Sequence, residues 1–239
     1  NDPAKEAESL TRLIDAGADG LVVNTCGGND EAIAAAAGRL PVVLLDRDVA
    51  DGGIDLVTSN NRELVAGLVD ALAAAGSERL CLLTEASDDS PVRRERAEVF
   101  TDELSRRGLA GEVVTLADGG ATGVGRLDET IRGYAGKRLG LIAVNGLVFL
   151  RLTEALAQLG PSLPAGLKIA TFDDYPWNHV LFGGVTTAAQ DTITIAERVV
   201  ERLSERIDVV TTTVGEAAKL APKRIEIPGH IEHRASTSR

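Results

Sequence analysis

Polar side chains follow six apolar segments of this sequence, each with the length of a buried β-strand. Carboxylates and amides present planar sets of hydrogen-bonding groups that match the vicinal hydroxyls of a polyol, and the guanidinium of Arg matches a carboxylate. The residue types therefore indicate a site for a small hydroxylated molecule. The polar residues that follow the six segments are Asp46-Arg47, Ser59-Asn60-Asn61, Glu85, Asn145-Gly146, Asp173-Asp174 and Gln190-Asp191.

Arg96 is the strongest candidate for the guanidinium of this site. It lies near Arg93 and Arg94 in a helix predicted over Val92–Arg107, soon after the predicted strand Leu80–Thr84. We expect its fork of donors to face a water-filled crevice, so that replacement by Ala weakens ligand binding and leaves stability nearly unchanged. A solvated pattern of charge pairs along the same helix is the alternative.

Structural roles compete with ligand binding at the other positions. Asp and Asn also cap helices and turns, and capping alone would account for any single member of the set, although not for all six. Trp177 follows a strand end in the segment DDYPWN. This side chain would either stack on the apolar face of a sugar or pack as a lid or an interface anchor.

Catalytic and metal-binding arrangements are weaker interpretations. The run Asp46-Arg47-Asp48 is similar to the nucleophile loop of aspartate-based phosphohydrolases, but the Thr or Val that stands two residues after the second Asp there is absent, and so is the adjoining Lys motif. Asp173 and Asp174 are adjacent on one extended segment and point to opposite sides, which argues against a shared proton. The three His residues are scattered, so neither a metal cluster nor a Ser-His-Asp triad can be placed. The sequence predicts no catalytic residue, metal or cofactor.

Composition excludes further classes of protein. The chain has 239 residues, 44% hydrophobic and 26% charged, and no apolar run is long enough to span a membrane. Lys and Arg total 25 against 36 Asp and Glu, so the formal net charge is −11 and the chain itself should not hold nucleic acid. Cys26 and Cys81 lie in apolar runs and are expected to be buried free thiols. The absence of Met indicates a fragment or a trimmed chain.

Apolar runs of strand length alternate with longer amphipathic stretches, which is typical of βαβ units around a parallel sheet. The predicted fold class is therefore α/β. Open parallel sheets bind ligands beyond the carboxyl ends of their strands, where the polar residues stand. Helices are predicted over 2–16, 30–37, 61–75, 92–107, 126–134, 148–159 and 193–206, and strands over 20–24, 41–45, 56–58, 80–84, 112–116, 139–144, 168–172, 185–188 and 223–227.

The order of these segments resembles the effector-binding core of the LacI/GalR family of bacterial transcriptional regulators. The similarity covers almost the whole chain. Each motif is weak alone, but the ordered set ends in the family's Arg-x-Ser-Thr tail at Arg234–Thr237 and is specific. The motifs are, in order, PVVLLDR, VTSNN, RRERAEVF, LIAVN, ATFDDYPW, GVTTAAQD and HRAST.

This resemblance implies two Rossmann-like parallel-sheet subdomains joined by three crossovers, as in type I periplasmic binding proteins. The subdomains are expected to close over a small effector, usually a sugar, a sugar acid or a nucleobase. The Asp46-Arg47 pair and the run Phe172–Trp177 are similar to regulators that respond to sugar acids. The expected effector contacts are Asp46, Asn60, Arg96, Asn145, Asp173, Trp177 and Gln190.

The chain departs from the family pattern at several positions. Asn60 stands where an Asp is usual, and Asn145-Gly146 stands where Asn-Asp is usual. Ser77 replaces a His, and Val99 replaces a Gly. The first two departures affect the ligand contacts expected near Asn60 and Gly146.

The function implied by the resemblance is the sensory domain of a homodimeric, cytoplasmic regulator of sugar catabolism. It would read operator DNA only through a helix-turn-helix expected upstream, together with a hinge helix and a first strand, helix and strand. Residues 1–60 with 192–219 are expected to form the amino-terminal subdomain, and residues 61–191 with 220–239 the carboxy-terminal one. A periplasmic sugar-binding protein of an ABC importer is the alternative, and an enzyme on the same fold lacks an assembled catalytic set. No membrane partner is expected.

Overall fold

Buried strands alternate with helices along the chain and assemble into two separate sheets. The computed structural model describes residues 2–49, 53–85, 90–116, 127, 129–134, 136–159, 166–212 and 220–238. The strands are β1 (Leu21–Val23), β2 (Val42–Leu45), β3 (Asp55–Ser59), β4 (Arg79–Glu85), β5 (Ala110–Leu116), β6 (Leu139–Ala143), β7 (Lys168–Phe172), β8 (Thr186–Ala189), β9 (Arg224–Ile227) and β10 (His230–Glu232).

The first helix begins where a local sequence signal places it. Asp2 caps the first helix, because its carboxylate accepts the backbone N–H groups of Ala4 and Lys5 at 3.1 and 3.2 Å, and Pro3 occupies the first helical position. The helices are α1 (Pro3–Asp15), α2 (Asp30–Ala37), α3 (Asn61–Ala74), α4 (Pro91–Arg107), α5 (residues 129–133), α6 (Gly146–Leu159) and α7 (Thr192–Thr212).

Unit 1 contains the described residues within Asn1–Asn60, Asp88–Val92 and Asp191–Pro228. Its sheet has the order β1-β2-β3-β9, and every pairing is parallel. Apolar side chains pack on both faces of this sheet, one cluster including Leu10 and Ile33 and the other including Ile195 and Val199. The parallel strands are thus buried between helices, as parallel sheets require.

Unit 2 contains the described residues within Asn61–Ser87, Arg93–Gln190 and Gly229–Arg239. Its sheet has the order β10-β8-β7-β6-β4-β5, parallel except for the antiparallel pair of β10 and β8. A large apolar core includes the fully buried rings of Phe100, Phe149 and Phe172. The predicted α/β class with parallel sheets is confirmed.

The structure corrects several predictions of local structure. Residues 220–228 belong to unit 1 and not to the carboxy-terminal unit, because β9 pairs in register with β3. The strand β10 was not predicted, and α7 runs six residues beyond the predicted end at 206, to Thr212. Cys26 is only half-buried, since β1 ends at Val23, whereas Cys81 is fully buried in β4. The Gly-rich segment 118–125 and the turn predicted at 161–164 lie outside the described residues.

Candidate functional site

Asp173 is the centre of a polar cluster at the carboxyl end of the unit 2 sheet. It directly follows β7 and has a φ of +67°, a left-handed conformation that Asp tolerates better than most residues. Its carboxylate accepts a hydrogen bond from Gln190 Nε2 at 2.6 Å and another from the backbone N–H of Gly146 at 3.2 Å. Asp173 and Gln190 are thus brought together, and both are half-buried.

Asn145 combines a structural role with an open donor group. Its Oδ1 accepts the backbone N–H of Val148 at 2.8 Å and so caps α6, the structural alternative considered for each strand-end residue. The half-buried Nδ2 group makes no hydrogen bond to any residue in the described part of the chain. Asn145 can therefore cap its helix and donate to a ligand at once.

Arg96 lies in the same cluster, but its environment differs from the predicted one. The residue is 4% exposed, its Nε donates to Asn61 Oδ1 at 2.8 Å, and its Nη1 donates to the carbonyl of Val144 at 2.8 Å. Its guanidinium carbon lies 3.9 Å from the ring centroid of Phe172. The expectation of a solvated fork whose loss leaves stability unchanged is wrong, because Arg96 is desolvated and bonded to protein groups.

Asn61 is a functional candidate that is not among the predicted effector contacts. It is 1% exposed, accepts from Arg96 and donates through Nδ2 to Glu95 Oε2 at 2.9 Å. The available signal was its place in the polar run Ser59-Asn60-Asn61, which follows β3. Asn61 sets the orientation of the Arg96 guanidinium and so belongs to the cluster.

Glu85 ends β4 and holds two more guanidiniums in unit 2. Its oxygens lie 2.9 Å from Arg93 Nη2 and 3.2 Å from Arg151 Nη1. The Glu85 side chain is nearly buried, so its charge is balanced by these two cations rather than by water. Arg151, which the sequence did not single out, lies on α6, so this ion cluster ties β4 and α4 to α6.

Aromatic side chains follow Asp173 and Asp174. The rings of Tyr175 and Trp177 are stacked with centroids 4.4 Å apart, and Trp177 is 36% exposed. A Cβ atom on Gly146 would lie 2.9 Å from Cδ2 of Tyr175 and closer still to Cε2. Tyr175 therefore fills the space that a side chain at position 146 would need. This explains why Gly stands at position 146 of this chain, where the family pattern has Asp.

Unit 1 carries the two remaining predicted contacts at the carboxyl ends of adjacent strands. Asp46 follows β2 with a φ of +66°, and its backbone N–H donates to Val57 O at 2.8 Å. No described residue hydrogen-bonds its half-buried carboxylate, which leaves these oxygens open to a ligand. Asn60 follows β3, and its backbone N–H donates to Ile227 O at 2.9 Å.

The loop after β1 is organised by a carboxylate from α1. Glu6 accepts hydrogen bonds from Thr25 Oγ1, from the backbone N–H of Cys26 and from Asn29 Nδ2, at 3.0 to 3.1 Å. Burial, and then the nearby charge of Glu6, raise the pKa of the Cys26 thiol. Arg47, which the sequence analysis paired with Asp46, donates through Nη1 to Thr25 O at 2.9 Å. Its guanidinium therefore stabilises the loop after β1.

The remaining described parts of the molecule contain a cavity but no candidate metal centre. No group of three or more His, Cys, Asp or Glu side chains that could hold a metal ion occurs among the described residues. A cavity of about 500 Å³ in unit 1 lies near the amino ends of β2 and β3, away from the predicted contacts, with Arg39, Asp55 and Arg206 in its wall. No helix within the described ranges is both long and apolar enough to cross a membrane.

Comparison with protein families gives two matches that together span the chain. Residues 69–237 match the periplasmic binding protein-like domain, and residues 1–121 match the family described as periplasmic binding proteins and sugar binding domain of LacI family.

Two curated relatives match almost the whole chain. It is 29% identical over 241 residues to the HTH-type transcriptional regulator KdgR of Bacillus subtilis (strain 168), which covers 99% of this chain and 68% of KdgR. It is 31% identical over 237 residues to the HTH-type transcriptional regulator PtxS of Pseudomonas plecoglossicida, which covers 99% of this chain and 66% of PtxS. The chain spans about two thirds of the length of these relatives.

The fold is also found among solved structures. A periplasmic binding protein/LacI transcriptional regulator from Alkaliphilus metalliredigens QYMF, complexed with D-xylulofuranose, superposes with a TM-score of 0.79 at 19% identity. The match covers 100% of this chain and 85% of that chain.

Proposed function

The chain belongs to the family of periplasmic binding proteins and sugar-binding domains of LacI-type regulators, and from this premise we propose that it is the effector-binding domain of a bacterial transcriptional regulator. KdgR and PtxS, both transcriptional regulators, match 99% of the chain. These relatives favour a regulator over the sugar-binding protein of an ABC importer. Regulators of this kind act in the cytoplasm, without turnover of the effector.

The proposed effector is a sugar or a sugar acid. The observation that carries this proposal is the cluster of Asp173, Gln190 and Asn145 at the carboxyl end of the unit 2 sheet. Asp173 and Gln190 hold each other at 2.6 Å, so two planar polar groups are fixed side by side before any ligand arrives. Adjacent hydroxyls of a sugar match such a pair, since each hydroxyl both donates and accepts.

Two further features support this effector class. The outer face of Trp177 suits the apolar face of a sugar ring, and Asn145 Nδ2 offers a donor to a hydroxyl or a carboxylate. In unit 1, the open carboxylate of Asp46 offers acceptors to hydroxyls, and Asn60 remains a predicted contact. The solved regulator from Alkaliphilus metalliredigens is complexed with a sugar, D-xylulofuranose.

Operator DNA is proposed to bind through a part of the parent protein that precedes this domain. The chain carries a net charge of −11, which opposes contact with phosphates. The two HTH-type relatives are longer than this chain by about a third of their length. Effector binding would then act by shifting a conformational equilibrium of the domain.

A homodimer is proposed on the basis of exposed apolar side chains in unit 2. Leu147 and Leu150 on α6 are 54% and 40% exposed, and Val180 and Phe182 after β7 are 76% and 44% exposed. Leu147 and Leu150 are three residues apart and share one face of α6, and contiguous apolar surface of this kind is typical of a face that a partner covers. Sedimentation of the parent protein at micromolar concentration tests this, and a strict monomer would contradict it.

Thermal unfolding with a panel of ligands tests the effector class. The panel contains D-xylulose, D-glucose, D-gluconate and a 2-keto-3-deoxy aldonate, with leucine as a non-sugar control. A ligand at 100 times its Kd stabilises the folded state by about 2.7 kcal/mol, which is readily measured. A panel in which no sugar or sugar acid raises the Tm contradicts the proposed effector class.

A pair of variants then links binding to the cluster. Asp173→Asn keeps the shape and the tolerance of a left-handed backbone but removes the charge, and we expect it to weaken binding by about 10-fold or more. Glu154→Asn, on an exposed position of α6, is the matched control and should bind as the unaltered protein does. Equal affinity of the two variants would exclude Asp173 from the site.

A further inference from the structure

The C-terminal tail, residues Arg234–Thr237, is bonded to the loop that carries Asp173. Arg234 donates through Nη1 and Nη2 to the two carboxylate oxygens of Asp174, each at 2.8 Å. This bidentate geometry fixes both the position and the plane of a carboxylate, which a single hydrogen bond cannot do. The two side chains are 14% and 24% exposed, so the pair is partly shielded from water.

Arg234 is itself firmly held. Its Nη1 also lies 2.9 Å from Val185 O and 3.1 Å from Thr187 Oγ1, and its backbone N–H donates to Thr186 Oγ1 at 2.9 Å. Its side chain passes close over Gly184, where an added Cβ would lie 3.2 Å from Arg234 Cβ. The guanidinium of Arg234 is therefore held in place by β8 and by the residue before it.

The rest of the tail is tied to the same strands. Ser236 Oγ donates to Ile169 O at 2.6 Å and accepts the backbone N–H of Thr186 at 2.8 Å. The hydroxyl of Thr237 lies 2.6 Å from that of Thr186. The Arg-x-Ser-Thr tail is thus anchored to β7 and β8, the two strands whose carboxyl ends carry Asp173 and Gln190.

Asp173 needs such support because its backbone is in a sparsely populated region. A φ of +67° at a non-glycine residue persists only where the surrounding structure enforces it. On one side its backbone N–H donates to Ala188 O at 3.1 Å, and its carbonyl accepts Asn178 Nδ2 at 2.8 Å. On the other side the next residue, Asp174, is clamped by Arg234.

We propose that Arg234 is a positioning residue of the effector site, acting through Asp174 to hold Asp173 in its left-handed conformation. This inference rests on the proposed function, since it assigns Asp173 to the effector. Arg234 does not touch the ligand in this scheme. It fixes the peptide between Asp173 and Asp174, and so fixes the direction in which the Asp173 carboxylate points. Lys at position 234 would keep the charge but not the fork.

A double-mutant cycle on ligand affinity tests the proposal. Arg234→Lys, Asp174→Asn and the double variant are titrated calorimetrically with D-gluconate and D-xylulose. We expect each single variant to weaken binding about 10-fold, and the double variant to lose clearly less than the two single losses combined, because both single variants break the Arg234–Asp174 pair. Arg138→Lys, which alters an exposed pair with Glu78, is the control and should bind normally.

Hydrogen exchange supplies a readout that needs no ligand. Arg234→Lys should speed exchange of the backbone N–H groups of residues 173–178 other than Pro176, while the amides of β4 and β6 exchange as in the unaltered protein. If the unaltered protein binds neither probe, the proposed function is contradicted for these probes, and exchange alone decides the role of Arg234. Normal affinity in Arg234→Lys, or unchanged exchange at 173–178, overturns the inference.

Discussion

The Arg96 guanidinium carbon lies 3.9 Å from the ring centroid of Phe172, the residue directly before Asp173. A cation stacked on a buried ring and bonded to Asn61 and Val144 supports the core directly beside the proposed effector contact Asp173. The amide group of Asn61 bridges Arg96 and Glu95, because its Oδ1 accepts from Arg96 and its Nδ2 donates to Glu95. Removal of Arg96 would leave Asn61 Oδ1 and Val144 O without this donor.

We therefore expect Arg96→Ala to destabilise the fold by about 2–4 kcal/mol, because it leaves Asn61 Oδ1 and Val144 O buried without a donor. Urea unfolding measures this loss. Arg106→Ala on the same helix breaks only a pair in which the Arg side chain is 63% exposed, and should cost less than about 1 kcal/mol. The effector affinity of Arg96→Ala is also predicted to fall by at least roughly 30-fold. Equal stability of the two variants would show that Arg96 is not built into the core.

Gly146→Ala should destabilise unit 2, although Ala is usually favoured over Gly in a helix. The added Cβ would meet the ring of Tyr175, which would have to leave its stack on Trp177. Overpacking of this kind costs about 1–3 kcal/mol. Trp177 is the only Trp of the chain, so its fluorescence reports the displacement directly.

Two variants control this experiment. Gly133→Ala, where an added Cβ meets nothing within 4 Å, should be neutral or stabilising. The double variant Gly146→Ala, Tyr175→Ala should recover the stability that Gly146→Ala loses relative to Tyr175→Ala. If Gly146→Ala is as stable as Gly133→Ala, the ring of Tyr175 can move away from the added Cβ without a loss of stability, and the prediction is wrong.

Stability should fall above pH 9 because of Cys81. Burial, followed by the charge of Glu112, raises the pKa of this thiol from 9.0 to about 12. A raised pKa in the folded state means that the stabilisation is fully present below pH 9.0 and is lost as the pH rises toward 12. At pH 10 the unfolded chain has largely ionised its thiol and the folded chain has not, which costs about 1 kcal/mol.

The measurement compares urea unfolding at pH 8 and pH 10. Cys81→Ala is less stable at both values but should lose about 1 kcal/mol less than the unaltered protein between them, since other titrating groups are common to both proteins. The same pH dependence in both proteins would assign the loss to other groups.

Cys26 should react slowly with iodoacetamide at pH 8, and Glu6→Gln should speed the reaction. The thiolate is the reactive form, and the Glu6 carboxylate is the second cause, after burial, of the raised pKa of Cys26. We expect a several-fold faster rate once the charge is removed. Glu8→Gln, an exposed position of the same helix, is the control. A rate in Glu6→Gln no faster than in the control would show that the Glu6 charge does not control the reactivity of Cys26.

Local patterns in the sequence were enough to predict the class of the fold and the order of most of its elements. Apolar periodicity and end signals such as Asp2-Pro3 act within a few residues, so most strands and helices were predicted close to their observed bounds, with β10 and the end of α7 as exceptions. The place of Asp46 and Asp173 after β2 and β7 follows from the same local pattern. The resemblance to a regulator family rests on motif order, which is also a property of the sequence alone.

The contacts of the polar residues depend instead on long-range packing. Arg96 meets Asn61, 35 positions away, and Val144, 48 positions away, and nothing local in the sequence encodes these distances. The strand β9 belongs to unit 1 because it pairs with β3, which lies far upstream in the chain. The predicted boundary at 220 was wrong because local patterns do not reveal this pairing. Burial of a charged group depends on all the elements that pack around it. Arg96 was therefore predicted to be solvated, whereas the structure shows it buried and hydrogen-bonded to protein groups. Local patterns fix elements, whereas long-range packing fixes the environment of each side chain.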